Sequence, residues 1–217
     1  MSANLLPNLI QASWETVYMV GLSTFFAVLI GLPLGVILVV TNRKHILENL
    51  VFNQTLGSVI NALRSAPFII LLVAITPLTR IVVGTTVGTT ASIVPLTIAA
   101  APFFARLVEV ALKEVDWGVV EAGLSMGANP WQIISKILIP EAFPSLVLAA
   151  TNVIVNLIGY SAMAGAIGGG GLGDLAIRYG YYRFQPDVML ATVVILIGAV
   201  QIIQSLGDWS AKKLSKK

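Results

Sequence analysis

From Thr16 to Asn42 no side chain carries a charge, and this run fixes the solvent before anything else is considered. A helix crosses the hydrocarbon core of a bilayer with about 20 apolar residues, so the stretch is a membrane span with length to spare for tilt. Gly31-Leu32-Pro33 inside it predicts a kink. The composition agrees: 57% of the 217 residues are hydrophobic and 11% are charged, where soluble domains carry about 25% charged residues. No Lys or Arg precedes Arg43. The start therefore lacks the basic region of a cleavable signal peptide and reads as a retained anchor.

Further spans follow in order. The second runs from about Asn53 to Ile75, with Arg64 inside it snorkelling to the inner interface. The third covers Ala91 to Val110, the fourth Phe143 to Ile167 and the fifth Val188 to Gly207. Residues 1–13 read as an interfacial lead-in, with Trp14 at the level of an aromatic belt. Arg80 and Gly84–Thr90 read as loop, as does the polar stretch holding Asp174, Arg178, Arg183 and Asp187. The fold expected is all-α: a polytopic membrane protein of about five transmembrane helices, forming a single domain over residues 1–217.

Several chemistries are excluded. The chain has no Cys, hence no disulfide, thiolate nucleophile or Cys-ligated metal. Its one His, His45, sits beside Arg43 and Lys44 and reads as solvated rather than metal-binding. Gly168–Gly173 lacks the Lys-Ser/Thr of a phosphate-binding loop, so no ATP site or other cofactor site is expected in this chain. The glycines serve instead for bending or close packing. No catalytic dyad falls within the spans, which argues against an intramembrane enzyme. A net charge of +3, with Lys212, Lys213, Lys216 and Lys217 at the very end, gives no nucleic-acid signal.

The segment from Trp117 to Pro140 cannot sit in hydrocarbon, because it carries Glu121, Lys136 and turn signals. Asp116 suits a helix N-cap and Gly127 a left-handed helix end. Asn129-Pro130 restarts a helix, with Asn129 as N-cap and Gln132 as its capping-box partner. Trp131, Ile134 and Leu138 are expected on one face, with Pro140 ending the run. The result is a pair of short helices joined by a corner. Helices this short are marginal in isolation, so the pair must dock onto something.

Glu121-Ala122-Gly123, Gly127 and Ile137-Leu138-Ile139-Pro140 resemble the "EAA" loop of membrane subunits of ATP-binding-cassette importers, with Gly123 in place of the second Ala and Ile139 in place of Leu. Arg64-Ser65-Ala66-Pro67-Phe68, Ile93-Val94-Pro95-Leu96, Ala101-Pro102-Phe103 and Gly159-Tyr160-Ser161-Ala162-Met163 are similar to the permease of bacterial methionine importers. The resemblance implies a homodimeric permease in the bacterial cytoplasmic membrane. It also implies two separate ATPase subunits that bind the ATP and Mg, and an extracytoplasmic substrate-binding lipoprotein. It assigns residues 112–140 as the loop that couples to the ATPase, through Glu121, Ala122, Gly123, Gly127, Asn129, Pro130, Ile137 and Pro140. A permease for another amino acid or small metabolite remains an alternative, as does, more remotely, a stand-alone secondary transporter.

Positive charge gives the orientation. With the N-terminus outside, the inner segments hold Arg43, Lys44, Arg106, Lys113, Lys136 and the C-terminal lysines, against Arg80, Arg178 and Arg183 outside. That puts the C-terminus and the loop in the cytoplasm. Within the fourth span Asn152, Asn156 and Tyr160 recur at helical spacing, continued by Met163. Such a polar face in hydrocarbon looks onto a pore or another subunit, and hydrogen bonding between helices is the competing use. These residues are the candidate translocation pathway and gate.

Overall fold

The computed structural model describes residues 5–215, and its elements there are helical. Helix α1 (Leu5–Val40) runs unbroken through Pro33. Residues 5–13 are thus helix rather than a lead-in, and residues 1–4 of that expected segment lie outside the described residues. Gly31 contributes close approach to α5 (Thr89–Lys113): a Cβ there would lie 2.7 Å from the Ala101 carbonyl oxygen, and one at Gly35 2.5 Å from Val108 Cβ. Small residues four apart let two membrane helices pack backbone to backbone. These helices form the centre of the molecule.

The second span is broken. Helix α2 (Leu50–Ser65) and helix α3 (Phe68–Ala74) meet at a bend of 100°. Pro67 is the cause, because its ring disfavours helical backbone in the residue before it, and Ala66 is extended at φ −75° and ψ 128°. Helix α4 (Thr76–Val83) follows, so Arg80 is helical and the loop shrinks to the turn that starts at the left-handed Gly84. Counting the bent pair as one span gives up to five, with α1, α5, α9 (Phe143–Ala166) and α11 (Pro186–Leu214) the others. Between α9 and α11, α10 (Gly171–Leu175) and a wide π turn over Ala176–Tyr181 replace the expected loop.

Contacts sort the connections onto two ends. At one end Gly88 N–H donates to the Gly168 carbonyl at 2.9 Å, and Glu15 accepts from Gly171 N–H at 2.8 Å. The glycine run earns its composition there, since a Cβ at Gly173 would lie 2.4 Å from the Ala162 carbonyl oxygen. At the other end His45 packs edge-on against Trp117, and Ser145 Oγ donates to Glu114 at 3.0 Å. Helix α11 runs toward this second end, packing Gly207 onto Thr151 near the start of α9. The described ends of the chain therefore lie at opposite ends of the bundle. Lys216 and Lys217, part of the charge count above, fall outside the described residues.

Candidate functional site

The Trp117–Pro140 segment folds into the expected corner. Helix α6 (Trp117–Ser125) is capped by Asp116, whose side chain accepts from Gly118 N–H at 2.6 Å. It ends in a Schellman motif: Ala128 N–H donates to Gly123 O at 3.1 Å and Gly127 N–H to Leu124 O at 2.9 Å. Gly127 is left-handed at φ 79°, and the space around its missing side chain is open. Helix α7 (Pro130–Ile133) opens with the capping box, Asn129 and Gln132 exchanging bonds of 2.9 Å. Helix α7 passes into a π turn over Ile134–Leu138 and then α8 (Ile139–Glu141).

Pro140 does not end this run. It has no N–H to offer the carbonyl of residue 136 and its ring would collide there, and the widened π turn immediately before it makes the room. The wider turn also shifts the helical phase. Ile133 and Leu138 are buried, Ile134 is half-buried, and Trp131, expected on their face, is 72% exposed. It stands beside the corner with Met126, which is 82% exposed.

The opposite side of the corner is anchored. Val120, Ile133 and Leu138 belong to the same buried cluster as Leu96, Phe104 and Leu112 of α5 and Leu157 of α9. Burying each contributes roughly 1.5–3 kcal/mol, which offsets the weakness of short helices. Gly123 is buried where α6 crosses the π turn: a Cβ would lie 2.5 Å from Ile137 Cδ1 and 2.8 Å from Ile133 Cδ1. Only flexible side-chain ends stand in its way, so the position accepts Ala with a rotamer change. Glu121, Ala122, Asn129, Pro130 and Pro140 are exposed, and Ile137 is half-buried beneath Gly123. The segment presents polar and large apolar groups outward on a base fixed to the bundle.

His45 is half-buried rather than solvated. Its ring lies 5.4 Å from that of Trp117, its Nδ1 accepts from Ile46 N–H at 3.0 Å, and burial pushes its pKa below the ordinary value. The ring links the 41–49 loop to α6.

On α9 the four residues spaced for one face are all at least partly accessible. Asn152, Asn156 and Met163 are exposed in sequence along it, and Tyr160 is half-buried at its edge. Asn156 Nδ2 donates to the Asn152 carbonyl of its own helix at 3.1 Å, which leaves the face open. Tyr160 lies flat on Phe68 of α3, ring centres 4.5 Å apart and planes 6° apart. The exposure of Met126, the outward turn of Trp131 and the stacking role of Phe68, named above only within a motif, emerge from the structure. Phe68 had a local signal, the helix start imposed by Pro67.

Three comparisons bear on this geometry. A family model for binding-protein-dependent transport system inner membrane components matches residues 31–217. The "Probable D-methionine transport system permease protein MetI" of Vibrio cholerae is 54% identical over 96% of this chain and 93% of its own length. The "D-methionine transport system permease protein MetI" of Escherichia coli strain K12 is 50% identical over 76% of each. Among solved structures, a chain from "Inward facing conformations of the MetNI methionine ABC transporter" matches at TM-score 0.97 and 47% identity, covering 99% of both chains. An amino acid ABC transporter "with histidines" shares the fold at TM-score 0.78 and 20% identity.

Proposed function

The chain belongs to the family of binding-protein-dependent transport system inner membrane components, and from that membership we propose that it is the membrane-spanning permease of an ATP-binding-cassette importer for methionine. The observation that carries the coupling role is the corner at Gly127, held to the bundle by Val120, Ile133 and Leu138 while Met126 and Trp131 stand out from it. A rigid lever with an apolar tip is what a separate motor subunit needs to push on. The substrate rests on the names of the relatives.

In this reading two copies form the pathway, with the α9 face of Asn152, Asn156, Tyr160 and Met163 toward it. Two ATPase subunits hold ATP and Mg and seat the corners on the cytoplasmic side; this chain does no hydrolysis and holds no cofactor. A substrate-binding lipoprotein docks on the opposite face. The C-terminus lies in the cytoplasm and the N-terminus outside. Closure of the ATPase dimer moves the seated corners as rigid bodies and tilts the helices behind them, which exchanges outward and inward openings.

Reconstitution with the ATPase and the binding lipoprotein tests this. Methionine uptake should require all three components and ATP. Uptake driven by an ion gradient without the ATPase would contradict it.

A further inference from the structure

Glu109 is a carboxylate 7% exposed near the C-terminal end of α5, a helix long and apolar enough to cross a membrane. Charges in spans are costly and mark function or assembly. It accepts from Lys113 Nζ at 2.7 Å and pairs with Arg106, both on its own helix α5. Arg106 is the group that reaches out: its guanidinium donates to Asn61 Oδ1 at 2.9 and 3.2 Å and to the Gly57 carbonyl at 3.3 Å, both on α2. A second pin holds the start of α2, where Asn53 Nδ2 donates to the Leu38 carbonyl at 2.6 Å and to Thr41 Oγ1 at 2.9 Å. Beyond the 100° break, α3 is held differently, with Phe68 stacked on Tyr160 of α9.

Helix α5 ends at Lys113 and α6 begins at Trp117. A displacement of the corner therefore enters α5 at the turn that carries this cluster. Buried ion pairs add little net stability, because desolvation offsets their attraction. What the cluster supplies is a fixed register between two helices. Glu109 orients the Arg106 fork, and the fork holds α2 at Asn61 and Gly57.

We propose that the Arg106–Glu109–Lys113 cluster is a pin that makes α2 travel with α5 and the α6 corner as one body, and that the swivel against α3 lies at Ala66-Pro67. Arg106, Glu109 and Asn61 are then positioning residues for transport rather than residues that contact the substrate. This rests on reading the corner as the ATPase docking element.

The test uses the complete transporter, in a chain that has no native Cys. Spin labels at Thr55→Cys on α2 and Val119→Cys on α6 report the distance within the proposed body; labels at Thr55→Cys and Ile70→Cys report the distance across the break. Between nucleotide-free and ATP-trapped states the first distance should hold and the second should shift. In Asn61→Leu the first distance should broaden, and methionine moved per ATP hydrolysed should fall several-fold while hydrolysis continues. Asn61→Asp, which still accepts from Arg106, should restore both. A purely structural role would lower complex yield and leave transport per ATP unchanged, which overturns the proposal. So does a first distance that shifts as much as the second in the native sequence. If the chain fails to assemble with the ATPase at all, the coupling reading falls and the proposal falls with it.

Discussion

Replacing Met126 with Ser and Trp131 with Ala together is expected to weaken ATPase association by roughly a hundredfold or more while leaving the permease folded. Large apolar side chains at the centre of an interface cost about 2 kcal/mol or more each when truncated. Both residues are exposed in the isolated chain, at 82% and 72%, and changes at such positions usually move stability by no more than about 0.5 kcal/mol. Ile133→Ala is the informative contrast. Ile133 is fully buried under the corner, so its truncation should cost about 2–5 kcal/mol of stability. Titration of the ATPase onto permease in nanodiscs, beside a thermal melt of each variant, separates the effects. An unchanged affinity in the double variant would show that the tip is not the contact.

Gly35→Leu is expected to be severely destabilising. A Cβ at Gly35 would lie 2.5 Å from Val108 Cβ and 2.6 Å from the Ala105 carbonyl oxygen. Backbone cannot yield as a side-chain tip does, so the helices must separate along their central contact. Overpacking costs about 1–3 kcal/mol where neighbours adjust, and here the cost should exceed that range. Gly21→Leu on the same helix is the control, because its surroundings hold nothing within 4 Å. Monodisperse protein in detergent should be lost for Gly35→Leu and kept for Gly21→Leu. Equal yields would show that α1 and α5 do not pack through Gly35.

Features set by local physics are legible in the sequence. Asp116, Gly127 and the Asn129–Gln132 box act within a few residues of themselves, and each forms the cap its chemistry implies. The α9 face followed from spacing. Two prolines act otherwise than their local context implies: Pro67 breaks the second span, and Pro140 does not end its run because a π turn absorbs it. The remaining features depend on partners far along the chain. Gly31-Leu32-Pro33 points locally to a kink, and only α5 packed against Gly31 and Gly35 reveals their close approach. Arg106 and Asn61 are 45 residues apart, and Glu15 and Gly171 are 156 apart, distances over which spacing carries no signal.

One cysteine reports both whether the corner lies in the cytoplasm and whether an ATPase subunit covers it. Ser125 is exposed beside Met126, and the chain has no native Cys to react in its place. Ser125→Cys should be modified by a membrane-impermeant thiol reagent in inverted vesicles stripped of the ATPase, and should be protected when the ATPase is restored. Modification from the outside of intact cells, or modification indifferent to the ATPase, would contradict the assignment of residues 112–140 as the coupling element.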